Sequence, residues 1–367
     1  MKLIFYMILQ KILYPLRVFH GKLYEWRKSM IKNLKYYLYL HYPLGKKVYI
    51  IGTPSHTNVG DSAIVLAQIE FLKNSNFSPN RIKEIPFYEY LNQSNFIKKR
   101  ISRRHLIAQL GGGNMGNQWM NEENFHRQLI LDFPNNPQII FPQTIYFTND
   151  ENGKHELAKS KNIYNSSLIT IVAREKKSYD IFRKAFENIN LLLTPDIVLS
   201  TNKNNYDVSN VIRDNVLLCL RNDCERNINN EDVINLTEYL NRSHLSYIQT
   251  DMHTDKLITP ETRAQVVADK MQEFISAKLV VTDRLHGMIF SAITETPCIV
   301  LSNYNHKVSG TYEWISHLPY INFVNNIDEA IHLIPQMLQL NNNHFDNLPL
   351  LSHFQNLFEV VKKYAPN

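Results

Sequence analysis

From residue 47 onward, short apolar runs alternate with longer stretches in which apolar residues recur at helical spacing, as a parallel sheet with crossover helices requires. "KVYIIGT" (47–53), "HLIAQL" (105–110), "QIIFPQ" (138–143) and "LITIVA" (168–173) are predicted strands, and "DSAIVLAQIEFLKN" (61–74) is a predicted amphipathic helix. A second set of strands follows at "NVLLCL" (215–220), "LSYIQT" (245–250), "KLVVT" (278–282) and "PCIVLS" (297–302), with helical patterns around 231–241, 261–275, 285–295 and 327–340. The polar stretch "STNKNNYDVSN" (200–210) separates the two sets. These patterns predict an α/β protein of two Rossmann-like lobes, 47–205 and 206–367, with a final helix near 350–363 crossing back to the first lobe.

A chain of 367 residues, 44% hydrophobic and 20% charged, is long enough for two such domains and is globular in composition. The three cysteines, Cys219, Cys224 and Cys298, form no CxxC pair and join no histidine cluster, which predicts a reducing, cytoplasmic setting and no structural zinc or other metal.

Charge changes the picture at one end. Residues 1–47 hold ten Lys or Arg against the single acid Glu25, so the head carries +9 and the other 320 residues carry −3. Basicity confined to a head, with no stripe along the fold, argues against a nucleic-acid partner. The extension 1–46 interleaves its cations with apolar residues such as Leu3–Leu9 and the "YYLYL" of 36–40. No uncharged run in it approaches the roughly 20 residues of a membrane span. A basic amphipathic helix lying on an anionic membrane surface at the inner face of the plasma membrane fits the pattern. So does a helix packed on the protein body or on a partner.

In parallel α/β sheets ligands bind beyond the carboxyl ends of the strands, so the loops there carry the candidate chemistry. "GTPSHTNVGD" (52–61) offers His56, Asn58 and Asp61 at the start of a helix, where backbone N–H groups can meet an anion; it is equally an ordinary connection with Asp61 as the cap. "GGGNMG" (111–116) matches GxGxxG in form, but it does not follow the first strand, and Asp132 beyond it lies in a helical pattern, so dinucleotide binding is rejected. Gly112, Gly113 and Asn114 there permit close approach of a ligand or simply a tight turn. Gln143 and Thr144 leave another strand at the same edge, Arg174 and Glu175 another, and Asp196 another.

"LVVTDRLHGMIFSA" (279–292) places Asp283, Arg284 and His286 at a strand end, with the apolar run resuming at once. Arg284 has a planar, permanently charged fork for an oxyanion, and His286 titrates near neutrality. Asp283 is positioned to hold either of them. The alternative is structural: a strand end capped by Asp283, with Arg284 in a salt bridge and His286 partly exposed.

Taken in order, "GTPSHTNVGD", "GGGNMG", "FPQTIYF", "AREKKSYD", "TPDIVL" and "TDRLHGMIFSAITETPCIVL" resemble the polysaccharide pyruvyl transferase family, in particular the bacterial exopolysaccharide and capsule type, over about residues 47–316. The resemblance implies a two-lobed fold similar to B-type glycosyltransferases. It implies transfer of the enolpyruvyl unit of phosphoenolpyruvate to a sugar of a lipid-linked oligosaccharide or polysaccharide precursor, giving a pyruvate ketal and phosphate without a cofactor. Under it, His286 is the proton donor, with Asp283, His56 and Asp61 as further catalytic candidates. Arg284 and Arg174 bind the anion, and Asn58, Gly112, Gly113, Asn114 and Gln143 line the substrate site. Trp119, Tyr304, Tyr312 and Trp314 are candidates to stack on sugar faces. A nucleotide-sugar-dependent B-type glycosyltransferase and a non-catalytic polysaccharide-assembly protein are the competing functions.

Overall fold

The computed structural model describes residues 27, 28, 30, 31, 33–166, 168–209, 211–223, 226–303 and 305–366. Most of the basic head, together with Cys224 and Tyr304, lies outside the described residues. The chain divides into two compact units, Met1–Gly45 and Lys46–Asn367. In the first unit the described residues 33–41 are helical, and Met30, Ile31, Leu34, Tyr37 and Leu38 are exposed.

The second unit holds two sheets, both parallel throughout. The first is ordered β2 (Ile82–Pro86), β1 (Val48–Thr53), β3 (Leu106–Gln109), β5 (Gln138–Tyr146), β6 (Ile169–Ala173), β7 (Asn190–Leu193), with β4 (Gly112–Gly116) also paired to β5. The second is ordered β12 (Ile321–Val324), β11 (Cys298–Leu301), β10 (Ala277–Thr282), β8 (Asp214–Cys219), β9 (Tyr247–Thr250). The central strands are mostly apolar because helices cover both faces. β6 and β11 are buried at every residue.

Helices α1 (Val59–Asn74), α2 (Phe87–Lys98), α3 (Met120–Asp132), α4 (Glu151–Tyr164) and α5 (Lys176–Ala185) belong to the first lobe. The second lobe carries α6 (Asn230–Arg242), α7 (Arg263–Ile275), α8 (Leu285–Ile293), α9 (Lys307–Tyr312) and α10 (Ile327–Met337), followed by α11 (Leu348–Leu351) and α12 (Gln355–Lys362). The tail returns to the first lobe as expected: the rings of Phe354 and Phe358 meet Phe71, with centroids 6.0 and 6.5 Å away, and Asn347 donates to the carbonyl of Ser200. One apolar core runs from Val48 and Phe141 through α1 to Leu217, Val280 and Phe290, so both lobes share a continuous interior.

Candidate active site

The loop after β1 is shaped by its own helix start. The side chain of Asn58 accepts from the N–H groups of Gly60 (2.8 Å) and Asp61 (3.3 Å), meeting donors that a helix N-terminus leaves unpaired. Asn58 is therefore the cap, and α1 starts at Val59, two residues before the expected point. Asp61 falls in the first turn with its carboxylate 3.4 Å from Nε2 of His56. Nδ1 of His56 accepts from the Asn58 N–H at 3.2 Å, which places the proton of a neutral ring on Nε2, toward Asp61. The same loop is stitched to the one after β9. Val59 N–H donates to the Met252 carbonyl (2.8 Å), and the Thr57 hydroxyl lies 2.9 Å from Nδ1 of His253.

Beyond β10 the three ionisable residues face three ways. Asp283 is buried and accepts from the backbone N–H of Arg221 at 2.9 Å, and its other oxygen has no partner among the described residues. Burial raises its pKa, against the pull of that hydrogen bond and of Arg221. Its side chain bonds neither His286 nor Arg284, which corrects the expectation that it holds one of them. Arg284 grips Asp251 through Nε (2.7 Å) and Nη2 (2.8 Å) and reaches Asp223 through Nη1 (2.6 Å). Its fork is thus engaged by two carboxylates, the salt-bridged arrangement of the structural alternative. Gly287 faces Thr282 and not a ligand space.

His286, in the first turn of α8, crosses to the other lobe. Its ring lies against Gly60, where an added Cβ would meet the Nδ1 and Cγ atoms, the latter at 2.7 Å. Its Nε2 is buried, has no hydrogen-bond partner among the described residues, and sits 3.8 Å from Oδ2 of Asp196. Burial pushes the imidazole below its ordinary pKa, Arg174 and Lys307 add to this, and the carboxylates of Asp196 and Asp61 oppose it.

Asp196 links His286 to Arg174. It caps the short helix Ile197–Ser200 by accepting from Val198 N–H (3.0 Å), and its second oxygen accepts from Nη1 of Arg174 at 3.0 Å. Arg174, 2% exposed at the end of β6, also donates from Nε to the Thr144 hydroxyl (2.7 Å). Its Nη2 has no protein partner among the described residues and lies over Gly113, 2.6 Å from where a Cβ would be. From the second lobe, Trp314 Nε1 donates to the Arg174 carbonyl (2.8 Å), and Nε2 of His306 lies 3.2 Å from Glu175.

These elements enclose a cavity of about 270 Å³ that brings together eight expected residues: His56, Asn58, Asp61, Gly113, Asn114, Arg174, Arg284 and His286. Asp283, Gly112 and Gln143 are outside its lining. Gln143 is buried and spends its amide on the Leu110 carbonyl (2.7 Å) and the Asn114 N–H (3.5 Å), holding β4 beside β5, while Gly112 pairs with it in register. Both are scaffold for Gly113 and Asn114. Trp119 lines the cavity, whereas Tyr312 stacks on Phe323 and Trp314 meets His353.

Sequence reasoning missed Glu122, Arg221, Asp223, His253 and Lys307, all of them in the lining. Four of these follow strand ends closely, and a search of every such loop in both lobes would have found them. Glu122 stands in the first turn of α3, where burial first and the charge of Asp61 second raise its carboxyl to about 7. His253 is pushed below its ordinary value by burial and by Arg284.

The chain is 33% identical over 328 residues to general stress protein 30 of Bacillus subtilis, covering 86% of this chain and 91% of that protein. It is 31% identical over 291 residues to pyruvyl transferase 1 of Schizosaccharomyces pombe, covering 75% and 71%. Among solved structures, the Staphylococcus aureus MnaA–UDP co-structure superposes with a TM-score of 0.51 at 10% identity, over 88% of this chain and 99% of that one, a likeness of fold that agrees with a glycosyltransferase-B-like architecture. Residues 58–306, which hold every lining residue of the cavity except His56 and Lys307, match the family described as polysaccharide pyruvyl transferase, and the chain belongs to that family.

Proposed function

We propose that the chain, a pyruvyl transferase by family, takes its pyruvyl unit from phosphoenolpyruvate and closes it as a ketal on a sugar of an exopolysaccharide or capsule precursor. The observation that carries this reading is Nη2 of Arg174, a guanidinium edge without a protein partner among the described residues, in a cavity also lined by Lys307 and by His286 at the start of α8. Phosphoenolpyruvate needs such a place, because its carboxylate and phosphate must be matched by fixed cations and backbone donors.

The reaction moves protons in balance. The enol carbon takes one proton and becomes a methyl group; one sugar hydroxyl attacks the adjacent carbon; phosphate leaves; a second hydroxyl closes the ring. Two hydroxyl protons are lost, one ending on the methyl carbon and one on phosphate. His286 carries the proton to carbon in this scheme, and Arg174 with Lys307 holds the donor. Arg284 joins the donor site if its carboxylate partners yield one edge of the fork. These cations hold the donor without a metal or cofactor.

The extension at 1–46 fits attachment to an anionic membrane surface, where a lipid-linked acceptor would sit; among the described residues no helix is long and apolar enough to cross a membrane. The test is phosphate release from phosphoenolpyruvate by purified full-length protein in the presence of lipid-linked glycans, with the glycan's mass followed in parallel. Release coupled to a ketal-bearing product is expected. A glycan that stays unchanged while phosphoenolpyruvate is intact overturns the donor assignment.

A further inference from the structure

The cavity that holds Arg174 and Lys307 is lined by carboxylates as well. Trp119, 39% exposed, immediately precedes α3, and Glu122 follows one turn later; both line the cavity, as does Asp61. The neighbouring Glu123 fixes this turn. It is fully buried and accepts from Gly116 N–H (2.9 Å), Arg127 Nε (3.1 Å) and the Tyr164 hydroxyl (2.8 Å). Glu122 has no such commitment, for its carboxylate has no hydrogen bond or ion pair among the described residues. Asp61 is held through one oxygen by His56, and its other oxygen has no protein partner among the described residues.

From this we infer that Trp119, Glu122 and Asp61 form the acceptor subsite, in which the indole supports a sugar face while the two carboxylates each receive one hydroxyl of a sugar diol. This rests on the proposed donor chemistry and adds to it the residues that hold the acceptor, a sugar with two hydroxyls close enough to close a ring on one carbon. The two carboxylates repel the donor's carboxylate and phosphate, which the cations of the lining attract. They accept hydroxyls well, because a charged acceptor strengthens a hydrogen bond. Ketal formation removes two hydroxyl protons, so two adjacent bases match its stoichiometry. Each carboxylate takes a hydroxyl proton as that oxygen bonds to the pyruvyl carbon; one replaces the proton that His286 gives to the enol carbon, and the other leaves with phosphate. Burial and the Asp61 charge keep Glu122 near neutrality, which suits a group that must both take and return a proton.

The experiment uses the full chain and two separate titrations, one with phosphoenolpyruvate and one with methyl glycosides of glucose, galactose and mannose, each compared with deoxy forms that lack one hydroxyl of the diol. Wild-type protein should bind at least one diol glycoside saturably and its deoxy form about tenfold more weakly. Glu122→Gln should weaken the diol glycoside about tenfold, leave the deoxy form unchanged and leave phosphoenolpyruvate binding within about twofold. Trp119→Ala should weaken all glycosides alike while the melting temperature reports its fold. Indifference of glycoside binding to Glu122→Gln overturns the subsite, as does parallel loss of phosphoenolpyruvate binding, or no saturable binding of any diol glycoside. Should the wild type bind glycosides in this pattern but not phosphoenolpyruvate, the donor assignment fails and the subsite stands.

Discussion

The ring of His286 rests on Gly60, so the residue proposed to move a proton is positioned by a bare backbone in the opposite lobe. A methyl group at that position would reach Cγ of the imidazole at 2.7 Å and Cβ at 3.0 Å, and neither is the free end of a flexible chain. Gly60→Ala should therefore displace the imidazole. Overpacking costs about 1–3 kcal/mol, and the better helix propensity of Ala returns up to about 1 kcal/mol. Phosphate release is expected to fall by about tenfold or more while the melting temperature drops by only a few degrees. Undiminished turnover would show that the place of His286 does not matter to the reaction.

A parallel case holds on the other wall. An alanine at 113 would bring its Cβ to 2.6 Å from Nη2 of Arg174, the edge that faces the cavity. Because Thr144 and Asp196 hold Nε and Nη1, the guanidinium has little freedom to swing aside. Gly113→Ala is expected to weaken phosphoenolpyruvate binding about tenfold, read by calorimetry, with a smaller effect on folding. Equal affinity in variant and wild type would remove Arg174 from the donor site.

These two glycines mark where the sequence stops being legible. The central strands are readable because a parallel sheet covered on both faces leaves unbroken apolar runs, and "LITIVA" or "PCIVLS" can hardly be anything else. The short strands β2 and β7 carry no such signal: β2 is half-buried at alternate residues, and β7 has no fully buried residue. Gly60 and Gly113 look like turn residues, since what they make room for, His286 and Arg174, comes from other parts of the chain. Arg284 misleads for the same reason. Its motif predicts a charged fork at a strand end, but the carboxylates that occupy it are 33 and 61 positions away, and neither belongs to a motif of its own.

Glu122 predicts a pH signature in stability. Its carboxyl is raised from the ordinary 4.5 to about 7 by burial and by Asp61. A group whose pKa is higher in the folded state stabilises the fold fully below the unfolded value and loses that contribution as pH rises through the folded one. The window is thus pH 4.5 to 7. At about 1.4 kcal/mol per unit the shift amounts to on the order of 3 kcal/mol. Glu122→Gln should melt progressively higher than wild type as pH rises through this window, with the difference constant above it. Asp61→Asn, which removes the second cause, should shrink that difference. A gap between Glu122→Gln and wild type that does not change with pH would mean that Glu122 titrates as an ordinary surface carboxylate.

Asp223 occupies the edge of Arg284 that an anionic donor would need. Its carboxylate, 31% exposed, holds Nη1 at 2.6 Å, whereas Asp251 holds the Nε–Nη2 edge with two bonds. Asp223→Asn should tighten phosphoenolpyruvate binding several-fold, because it removes a negative charge from the cavity lining and loosens one edge of the fork. Asp251→Asn should instead cost stability by about 2–3 kcal/mol, since it breaks the bidentate pair that orients the guanidinium. An unchanged donor affinity in Asp223→Asn would make Arg284 a strut between loops, with the donor held by Arg174 and Lys307.

The sharpest test concerns the proton on His286. In the free protein, burial lowers the pKa of the imidazole, so at neutral pH it is largely uncharged and cannot yet act as the acid the reaction needs. The donor itself can reverse this. A negative charge placed about 4 Å from the ring attracts a proton there with up to about 4 kcal/mol at an effective dielectric constant near 20, equivalent to about three pKa units. Binding of phosphoenolpyruvate near pH 7 should therefore draw a proton onto His286, and affinity should rise as pH falls from about 8 to 6. Calorimetric titrations in buffers of different ionisation enthalpy measure that uptake directly. The donor's phosphate and Glu122 also exchange protons on binding, so the comparison is with His286→Asn, which keeps both and lacks the imidazole. The wild type should take up close to one proton more than the variant, and the variant should bind with a shallower pH dependence. If the two take up equal numbers of protons, His286 stays neutral in the complex and serves as a hydrogen-bond donor to the anion. The proton for the enol carbon must then come from elsewhere in the cavity, and Glu122, raised to about 7, is the group whose chemistry fits.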